Sequence, residues 1–291
     1  MRPLTYTRAK PAMPVAGEPI VRRIIRWLHD HNVDDLVMNL HHLPATLTAV
    51  VGDGTDLGVR LRYSWEAPKV LGSAGGPRQA LSTLAADRFL MINGDTLTDI
   101  DPSSVAAAHE RTEALVTLAV VPNRQFDRYG GVIVDEEGSV TGFSRRGTES
   151  RGTWHFVGVQ AVEASVFADL PAGVPLNTIG GIYDELIRTK PGTVRGYRCE
   201  GGFWDVGTGD DYLQTSMEFS NGSVSSGRHV VIDPTAHVER SVLWDDVQVA
   251  AAAQITDCIL ADGVRVPAGA IYRRTILLQR GDDLLVTPIE G

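Results

Sequence analysis

The last quarter of the chain repeats itself at an interval of 17 residues, and this repeat limits the possible folds more than any other feature. Similar apolar residues recur in five columns, namely Val230/Val247/Val264, Ile232/Val249/Val266, Ala236/Ala253/Ala270, Val242/Ile259/Ile276 and Leu243/Leu260/Leu277. Within a unit the apolar positions lie about six residues apart, as Ile232 and Val238 do. This pattern is typical of a hexapeptide β-helix, whose stacked coils bury a common apolar column. We predict such a β-helix over residues 228–291; a β-rich tail of another kind is the weaker alternative.

The preceding part of the chain alternates between helical and strand patterns. Helical apolar spacing is found at 19–29 and 102–111, whereas short apolar or alternating runs occupy 36–40, 59–64 and 114–121. Alternation of this kind implies right-handed crossovers between neighbouring strands. We predict an α/β domain with a mixed, mainly parallel sheet over residues 1–222, followed by a Ser/Gly-rich linker.

Composition argues against several function classes. The formal net charge of −9 at pH 7 argues against a general nucleic-acid or anionic-membrane surface. No apolar run approaches the ~20 residues that span a bilayer, and the start, MRPLTYTRAK, lacks the apolar segment of a secretory signal. Cys199 and Cys258 form neither a disulfide framework nor a metal-ligand cluster. We therefore expect no nucleic-acid or membrane partner and a reducing, cytoplasmic location.

One apolar run ends in an acidic turn. Phe89, Leu90, Met91 and Ile92 fit a strand buried on both faces of a parallel sheet, and the run stops at Asn93-Gly94-Asp95. In open α/β sheets ligands lie beyond the carboxyl ends of the strands. There the Asp95 carboxylate could bind Mg²⁺, which often bridges to substrate phosphates. Taken alone, these residues could equally form a simple turn.

A second acidic position lies in the stretch Gly201–Thr208. The apolar neighbours Phe203, Trp204 and Val206 predict that Asp205 is half-buried. A half-buried carboxylate is costly unless it is paired or bound to a metal.

Three further stretches carry weaker indications of phosphate binding. Lys10 precedes Pro11 on a stiffened loop and could present a fixed cation to a phosphate, although an isolated Lys-Pro is usually solvated surface. The small residues of Leu71–Gly76, before a helix predicted at 78–84, could bring backbone amides close to a nucleotide or form a flexible turn. Arg145 and Arg146 follow a predicted hairpin and could bind a sugar phosphate or be an ordinary exposed pair.

In combination and order, these pieces resemble the sugar-1-phosphate nucleotidylyltransferase family over essentially the whole chain, and most of all its mannose-1-phosphate guanylyltransferase-like members. The matching stretches are Arg2-Pro-Leu-Thr, Lys10-Pro-Ala-Met-Pro-Val-x-Gly17-x-Pro, Leu71-Gly-Ser-Ala-Gly75, Asn93-Gly-Asp95, Tyr129-Gly-Gly131, Gly158 and Trp204-Asp-Val-Gly-Thr208. The resemblance implies a Rossmann-like three-layer nucleotidyltransferase domain, followed by a left-handed parallel β-helix.

The resemblance also implies a reaction and its residues. A nucleoside triphosphate and a sugar 1-phosphate would give a nucleotide-sugar and pyrophosphate, with Lys10, Asp95 and Asp205 as catalytic residues and the two aspartates as Mg²⁺ ligands. The nucleotide would be bound by Leu71, Gly72, Ser73, Ala74, Gly75, Asn93 and Gly94. The sugar phosphate would be bound by Tyr129, Gly130, Gly131, Arg146 and Gly158.

The chain departs from the family pattern at two places. The family begins with a strand and a Gly-x-Gly-Thr-Arg loop before Arg-Pro-Leu-Thr, whereas this sequence begins at Met1-Arg2. We favour a start assigned too late, and expect weakened or absent activity if the 291 residues are all there is. Arg145 stands where most relatives have a glutamate that accepts bonds from sugar hydroxyls, so the identity of the sugar is open.

Several functions are therefore in competition. GTP with mannose 1-phosphate is the expected pair; glucose 1-phosphate or N-acetylmuramate 1-phosphate with UTP or dTTP is the alternative. A non-catalytic paralogue that binds nucleotide-sugar is a second class. A β-helix acyltransferase using His229 or His237 is a third and weaker class. The β-helix could also mediate formation of a homo-oligomer.

Overall fold

Most of the predicted helices form close to their expected limits, and two of them begin with a side-chain cap. The Asp101 carboxylate accepts the Ser103 amide just before a helix, and Thr208 and Asp211 form a reciprocal capping box at another. The computed structural model describes residues 1–290. Its helices are α1 (Ile20–Asp30), α2 (Pro44–Val51), α3 (Gly72–Leu84), α4 (Pro102–Glu110), α5 (Ser165–Ala168), α6 (Tyr183–Thr189) and α7 (Gly209–Phe219).

The strands fall into a longer central set and a short repetitive C-terminal set. The strands before α7 are β1 (Pro14–Val15), β2 (Glu18–Pro19), β3 (Asp35–Leu40), β4 (Arg60–Trp65), β5 (Arg88–Ile92), β6 (Thr96–Thr98), β7 (Val116–Pro122), β8 (Gly131–Val134), β9 (Val140–Ser144), β10 (Trp154–Glu163), β11 (Val194–Arg198) and β12 (Phe203–Asp205). The C-terminal strands are β13 (Ser225–Ser226), β14 (Val231–Ile232), β15 (His237–Glu239), β16 (Val242–Leu243), β17 (Gln248–Val249), β18 (Gln254–Thr256), β19 (Ile259–Leu260), β20 (Arg265–Val266), β21 (Ile271–Arg273), β22 (Thr275–Arg280) and β23 (Asp283–Pro288).

The chain forms two compact units, which are described separately. The central unit comprises Ile25–His42 and Gly52–Phe203, and the terminal unit comprises Met1–Ile24, Leu43–Val51 and the chain from Trp204 onward. The division predicted from sequence, at 1–222 and 228–291, stays a prediction. Within residues 1–290 we find no helix that is both long and apolar enough to cross a membrane.

The sheet of the central unit is mixed, as predicted, but the expectation of mainly parallel strands is wrong. Its strands run in the order β11-β7-β10-β8-β9, with β5 also paired to β10. β10 runs antiparallel to β5, β7 and β8, and β8 and β9 form an antiparallel hairpin, whereas β11 and β7 are parallel. A separate parallel pair joins β3 and β4. Only parallel pairs require long crossovers, and short turns such as the one between β8 and β9 impose antiparallel pairing.

Strand β5 exists where predicted, but it is not buried on both faces. Every side chain from Phe89 to Ile92 is half-buried, whereas β7 is buried from Val116 to Val121. The difference follows from pairing, because β5 has one strand partner, β10, among residues 1–290 and β7 has two. β5 is therefore an edge strand in this unit.

The predicted β-helix is confirmed in the terminal unit. Three parallel sheets run along it in the orders β13-β16-β19-β22, β14-β17-β20 and β15-β18-β21, and every pairing in them is displaced by one 17-residue repeat. β23 turns back antiparallel on β22. The corner residues repeat too, since Arg240, Asp257 and Arg274 all have positive φ, at 46°, 53° and 46°. Most residues of the predicted apolar columns are buried, and Leu243, Leu260 and Leu277 are fully buried, whereas Ile232 is 38% exposed.

A half-buried arginine joins the N-terminal segment to two successive coils. The Arg8 guanidinium lies 2.8 Å from Asp245 and 2.6 Å from Asp262, and its Cζ lies 5.1 Å from the Trp244 ring centroid. Burial lowers the pKa of Arg8, but Asp262 and then Asp245 outweigh it and leave the pKa above its usual value. Burial disfavours ionised Asp245, yet hydrogen bonds from Arg228 and the charge of Arg8 lower the pKa of that carboxyl to about 2. For Asp262 burial prevails and raises the pKa.

The low pKa of Asp245 makes stability depend on pH. Asp245→Asn is expected to lower the free energy of unfolding at neutral pH by about 2 kcal/mol, because the carboxyl pKa falls from 3.8 to about 2 on folding. This contribution is complete above pH ~4 and is lost as the pH falls towards ~2, so variant and wild type should converge in acid. Urea denaturation across this range measures the difference. Asp246→Asn is the matched control, because Asp246 is 66% exposed and pairs with exposed His229; a difference that persists undiminished in acid would contradict the assignment.

Candidate active site

A cavity of about 290 Å³ brings together the two stretches predicted to bind nucleotide. We call it the α3 cavity; its walls come from β3, α3 and β5, and its lining residues are Val37, Asn39, Gly72, Ser73, Pro77, Ala80, Leu84, Phe89, Leu90, Met91, Ile92, Asn93 and Gly94. Four of these, Gly72, Ser73, Asn93 and Gly94, belong to the predicted nucleotide-binding set. The cavity is therefore apolar along the strands and polar at one end, which is the usual composition of a small-molecule site.

The Gly-rich stretch begins a helix, whereas the sequence predicted a loop before residue 78. α3 starts at Gly72, and the amides of Ala74 and Gly75 donate to the Leu176 carbonyl. A Cβ on Gly75 would lie 2.5 Å from the Val174 carbonyl oxygen, so its small size serves packing against 174–176. The first turn of a helix carries amides without intrahelical acceptors and the positive end of the helix dipole. Gly72 and Ser73 present this end to the α3 cavity.

Glu66 has a positioning role in the structure. Its buried carboxylate accepts a hydrogen bond from the Leu71 amide at 2.6 Å. The same carboxylate lies against Gly76, where an added Cβ would collide with the carboxylate oxygen. Glu66 therefore holds the start of α3 in place. Leu71 itself is buried beside that start, outside the cavity lining.

A second cavity, of about 470 Å³, lies in the same unit where β7 ends and β10 begins. Aromatic rings form one wall: the centroid of Tyr129 lies 4.3 Å from that of His155, and His155 lies 4.6 Å from Phe203. Its other lining residues are Val121, Pro122, Asn123, Arg124, Gln125, Cys199, Glu200, Gly201 and Gly202. We call it the aromatic cavity, and Tyr129 is its one member from the predicted sugar-binding set.

Asn123 is a polar lining residue that sequence reasoning missed. Its side chain is buried, and the amide Nδ2 donates to the carbonyl oxygens of Tyr129 and Gly130 at 3.3 and 3.4 Å. Because both partners are acceptors, the orientation of the amide is determined. Its Oδ1 is buried and has no hydrogen-bond partner in the described part of the chain. A polar residue just after an apolar strand is the signal that selected Asp95, and it could have found Asn123.

The remaining predicted sugar-binding residues are spread along β8, β9 and β10. Gly130 and Gly131 precede and begin β8, where a Cβ at position 131 would collide with Thr153. Arg146 is exposed after β9. Gly158 lies within β10, at the irregularity in its pairing with β7.

The irregularity at Gly158 connects the two cavities. Gly158 has φ +83°, its carbonyl accepts the Asn93 amide at 2.8 Å, and an added Cβ would lie 2.8 Å from Asn93 Cβ. β-bulges re-aim strands next to functional sites. His155 of the aromatic cavity lies three residues earlier on the same strand, which corresponds to about 10 Å at the usual strand rise.

In the terminal unit, Lys10 and Asp205 come together. Lys10 Nζ lies 3.7 Å from Asp205 Oδ1, and their side chains are 21% and 28% exposed. Lys10 begins the 3-10 helix Lys10–Ala12, and Asp205 ends β12 just before fully buried Val206. The prediction that Asp205 is half-buried is confirmed, and of the two stabilising arrangements left open for its carboxylate the structure contains an ion pair with Lys10.

Asp95 lies in the turn between β5 and β6, in the central unit, and is half-buried. Within residues 1–290 no three His, Cys, Asp or Glu side chains gather in a way that could hold a metal ion by themselves. A site with one or two carboxylates suits Mg²⁺, which usually keeps waters and binds substrate phosphates as well.

Comparison with known proteins identifies the family. The family described as "Nucleotidyl transferase" matches residues 1–222, and the one described as "GlmU-like, C-terminal hexapeptide" matches residues 211–280. The chain therefore belongs to the nucleotidyl transferase family, and its named relatives are sugar-1-phosphate nucleotidyltransferases. The predicted family, domain type and enzyme class are confirmed.

Individual relatives agree on the class and differ in substrate. The mannose-1-phosphate guanylyltransferase of Mycobacterium tuberculosis is 26% identical over 94% of this chain and 80% of its own length. The UTP–glucose-1-phosphate uridylyltransferase of a Synechocystis species is 25% identical over 97% of this chain and 77% of its own length. The crystal structure of HddC from Yersinia pseudotuberculosis complexed with GMP-PN has a TM-score of 0.62 at 20% identity, covering 72% of this chain and 89% of that one. The last likeness establishes the fold.

The contact between Gly158 and Asn93 can be tested with two alanine variants. Gly152→Ala introduces a side chain at φ +76° in open space, so it should cost about 1 kcal/mol of backbone strain. Gly158→Ala has similar strain and also collides with Asn93, which should cost a further 1–3 kcal/mol or so. Chemical denaturation of both variants measures the difference. Equal losses would show that Asn93 is not held by Gly158.

Proposed function

We propose that the chain transfers a nucleoside monophosphate from GTP to mannose 1-phosphate, giving GDP-mannose and pyrophosphate. The proposal of this pair is supported by the relative from Mycobacterium tuberculosis, which spans most of both chains, and by the GMP-PN complex of the Yersinia protein of the same fold. The observation that carries nucleotide binding in this chain is the α3 cavity, because two separate sequence stretches selected for that role line one space.

The α3 cavity suits a nucleoside attached to phosphate. Its apolar strand side, with Val37 and Leu90, provides surface for a base, while Asn39 and Asn93 provide amide groups for its polar edge. The first turn of α3 places amides and a positive dipole end at Gly72 and Ser73, which favours a negatively charged group.

The aromatic cavity suits the sugar. The Tyr129, His155 and Phe203 rings offer flat apolar surface to the C–H face of a pyranose, and the Arg124 and Gln125 side chains in the same lining carry groups that hydrogen-bond hydroxyls. Arg128 lies over the Tyr129 ring, with Cζ 4.9 Å from its centroid, and keeps that ring in place. Arg146 and Gly158 remain proposed sugar-phosphate residues on the family resemblance.

The transfer itself needs no protein nucleophile. A phosphate oxygen of the sugar 1-phosphate attacks the α-phosphorus, and the bond from that phosphorus to the pyrophosphate oxygen breaks. Lys10 holds a phosphate by its positive charge, so its main contribution is position and electrostatic stabilisation. Asp95 and Asp205 are the proposed Mg²⁺ ligands, and bound Mg²⁺ supplies neutralisation of charge on the α-phosphate.

A second substrate pair is favoured by a specific observation. The glucose-1-phosphate uridylyltransferase relative matches as much of this chain as the guanylyltransferase does, at nearly equal identity. Arg145, in place of the usual glutamate, also leaves the identity of the sugar open.

We further propose a reducing, cytoplasmic setting, since both cysteines are free thiols. Self-association through the coils stays a proposal.

The test is a matrix of nucleoside triphosphates against sugar 1-phosphates, read as pyrophosphate release. We expect the highest kcat/KM for GTP with mannose 1-phosphate.

Lys10→Met should lower kcat by about 10²–10³-fold, the usual effect of removing one fixed donor from a developing negative charge, while Lys190→Met at the exposed end of α6 leaves it unchanged. Asp95→Asn and Asp205→Asn should each abolish Mg²⁺-dependent turnover. Binding of nucleotide-sugar without any pyrophosphate release would instead favour the non-catalytic alternative.

The aromatic cavity can be tested separately from the nucleotide. Tyr129→Ala should raise KM for the sugar 1-phosphate about tenfold, because it removes a ring that packs on His155 and Phe203. KM for the nucleotide should change less than about twofold. Tyr129→Phe keeps the ring and is the matched control; a rise in nucleotide KM alone would place the sugar elsewhere.

A further inference from the structure

The N-terminal segment that carries Lys10 is bound to the coils of the β-helix through Arg8, which precedes the lysine by two residues. Arg8 donates through Nε and Nη2 to Asp262 at 2.7 and 2.6 Å, and through Nη2 to Asp245 at 2.8 Å. Its side chain is 13% exposed. Asp245 and Asp262 occupy the same position in two successive coils. One side chain, two residues from the lysine, is therefore held by two coils at once.

The same segment is bound again after the lysine. Tyr212 of α7 donates its hydroxyl hydrogen to the Pro14 carbonyl, and the Trp244 indole donates to the Tyr212 hydroxyl oxygen at 2.8 Å. The Gly17 amide donates to the Ser225 hydroxyl at 3.1 Å, and a Cβ on Gly17 would lie 2.9 Å from the Ser226 carbonyl oxygen. Both flanks of the lysine segment thus rest on α7 and the first coils.

Between these two anchors the backbone has little freedom. Ala9 is 3% exposed, and its amide donates to the Thr46 hydroxyl at 3.0 Å. The Ala12 amide donates to the Ala9 carbonyl at 2.8 Å, and the Met13 amide donates to the Lys10 carbonyl at 3.1 Å. A displacement of Arg8 is therefore transmitted to the Lys10 backbone and not absorbed by a flexible loop.

Trp244 is the common element of both anchors. It is fully buried, its ring lies beneath the Arg8 guanidinium, and its indole N–H reaches Tyr212. A buried ion pair by itself stabilises little, because the cost of removing two charges from water offsets their attraction. What such a pair does provide is a defined geometry, since a planar guanidinium bonds two carboxylates only in one arrangement.

We propose that Arg8 is a positioning residue for Lys10, and that the β-helix, through Asp245, Asp262 and Trp244, sets the place of this lysine opposite Asp205. The proposal rests on the proposed function for its kinetic consequence. Lys10 acts by position, and small misplacements of a phosphate-holding cation are costly in rate. The coils are then part of the catalytic apparatus without touching substrate.

The experiment compares Arg8→Met with wild type by pyrophosphate release. We expect kcat to fall roughly 10- to 100-fold, the range associated with misplacement by about 1 Å, while KM for both substrates changes less than about threefold. Arg8→Lys keeps one charge but cannot bond both carboxylates with a planar fork, so it should restore part of kcat. Arg240→Met is the matched control, because the Arg240–Asp257 ion pair, at 2.9 Å, joins two coils to each other and not to the N-terminal segment.

A chemical readout separates this proposal from the proposed function. Lys10 acylation by acetic anhydride, relative to Lys190 in the same sample, is followed by peptide mass spectrometry. Release of Lys10 from its place beside Asp205 should raise this ratio at least about threefold in Arg8→Met, since a freed amine is more exposed. If wild type shows no turnover with any substrate pair, the proposed function fails, and the acylation ratio still decides the positioning role.

The outcomes are distinct. A folded Arg8→Met protein with unchanged kcat and an unchanged acylation ratio overturns the proposal. An equal loss in Arg240→Met also overturns it, because the effect would then be general stability. Should Arg8→Met fail to fold, Asp262→Asn removes one charge while keeping an acceptor; it should lower kcat to a smaller extent and raise the acylation ratio, and no change in either overturns the proposal.

Discussion

Two carboxylates that lie one coil apart share a single arginine, and the terminal unit depends on this arrangement. The Arg8 side chain is 13% exposed and would be an uncompensated charge without Asp245 and Asp262. The arrangement is possible because the coils repeat at a constant interval, so equivalent residues lie directly above one another. The regular packing of apolar columns thereby determines where a polar contact to the N-terminal segment can form.

In the central unit the corresponding role belongs to β10. This strand pairs with three neighbours and carries the one irregularity that lets Asn93 approach it, at Gly158. β10 contacts Asn93 of the α3 cavity through Gly158 and carries His155 of the aromatic cavity, so one strand links the proposed nucleotide and sugar sites. Sites built on one rigid strand are positioned more precisely relative to each other than sites built on two independent loops.

The sequence predicted those features that depend on short-range pattern. The coils were foreseeable because several columns agree at one interval, and the half-buried state of Asp205 because apolar residues flank it on both sides. The edge position of β5 was not foreseeable, since an apolar run has the same composition whether one or two strands pair with it. The sequence predicts a helix only from residue 78, because Gly-Ser-Ala-Gly-Gly has poor helix propensity. In the structure α3 begins at Gly72, because contacts with Leu176 and Glu66 stabilise the earlier start.

The residues of the candidate site also fall into those that the sequence could reveal and those that only the structure reveals. Gly72, Ser73, Asn93 and Gly94 were selected from two distant stretches, and one cavity gathers them. His155 and Phe203 carry no local motif, and their role arises only from strand pairing and ring stacking. Arg8 could not be recognised at all, because its partners lie 237 and 254 residues away. Long-range charge pairing leaves no periodic trace in a sequence.

The shared arginine also restricts how the gene can change in length. Insertions or deletions between Asp245 and Asp262 would alter the rise or rotation from one coil to the next and pull the two carboxylates out of line with Arg8. Beyond Asp262 a second contact fixes the last coil, because the Arg274 guanidinium donates to Asp210 of α7 at 2.9 Å, and β23 then turns back on β22. A change in the number of coils between Asp245 and Arg274 would therefore break one or both of these contacts, so length variation among descendants of this chain should be rare in that stretch.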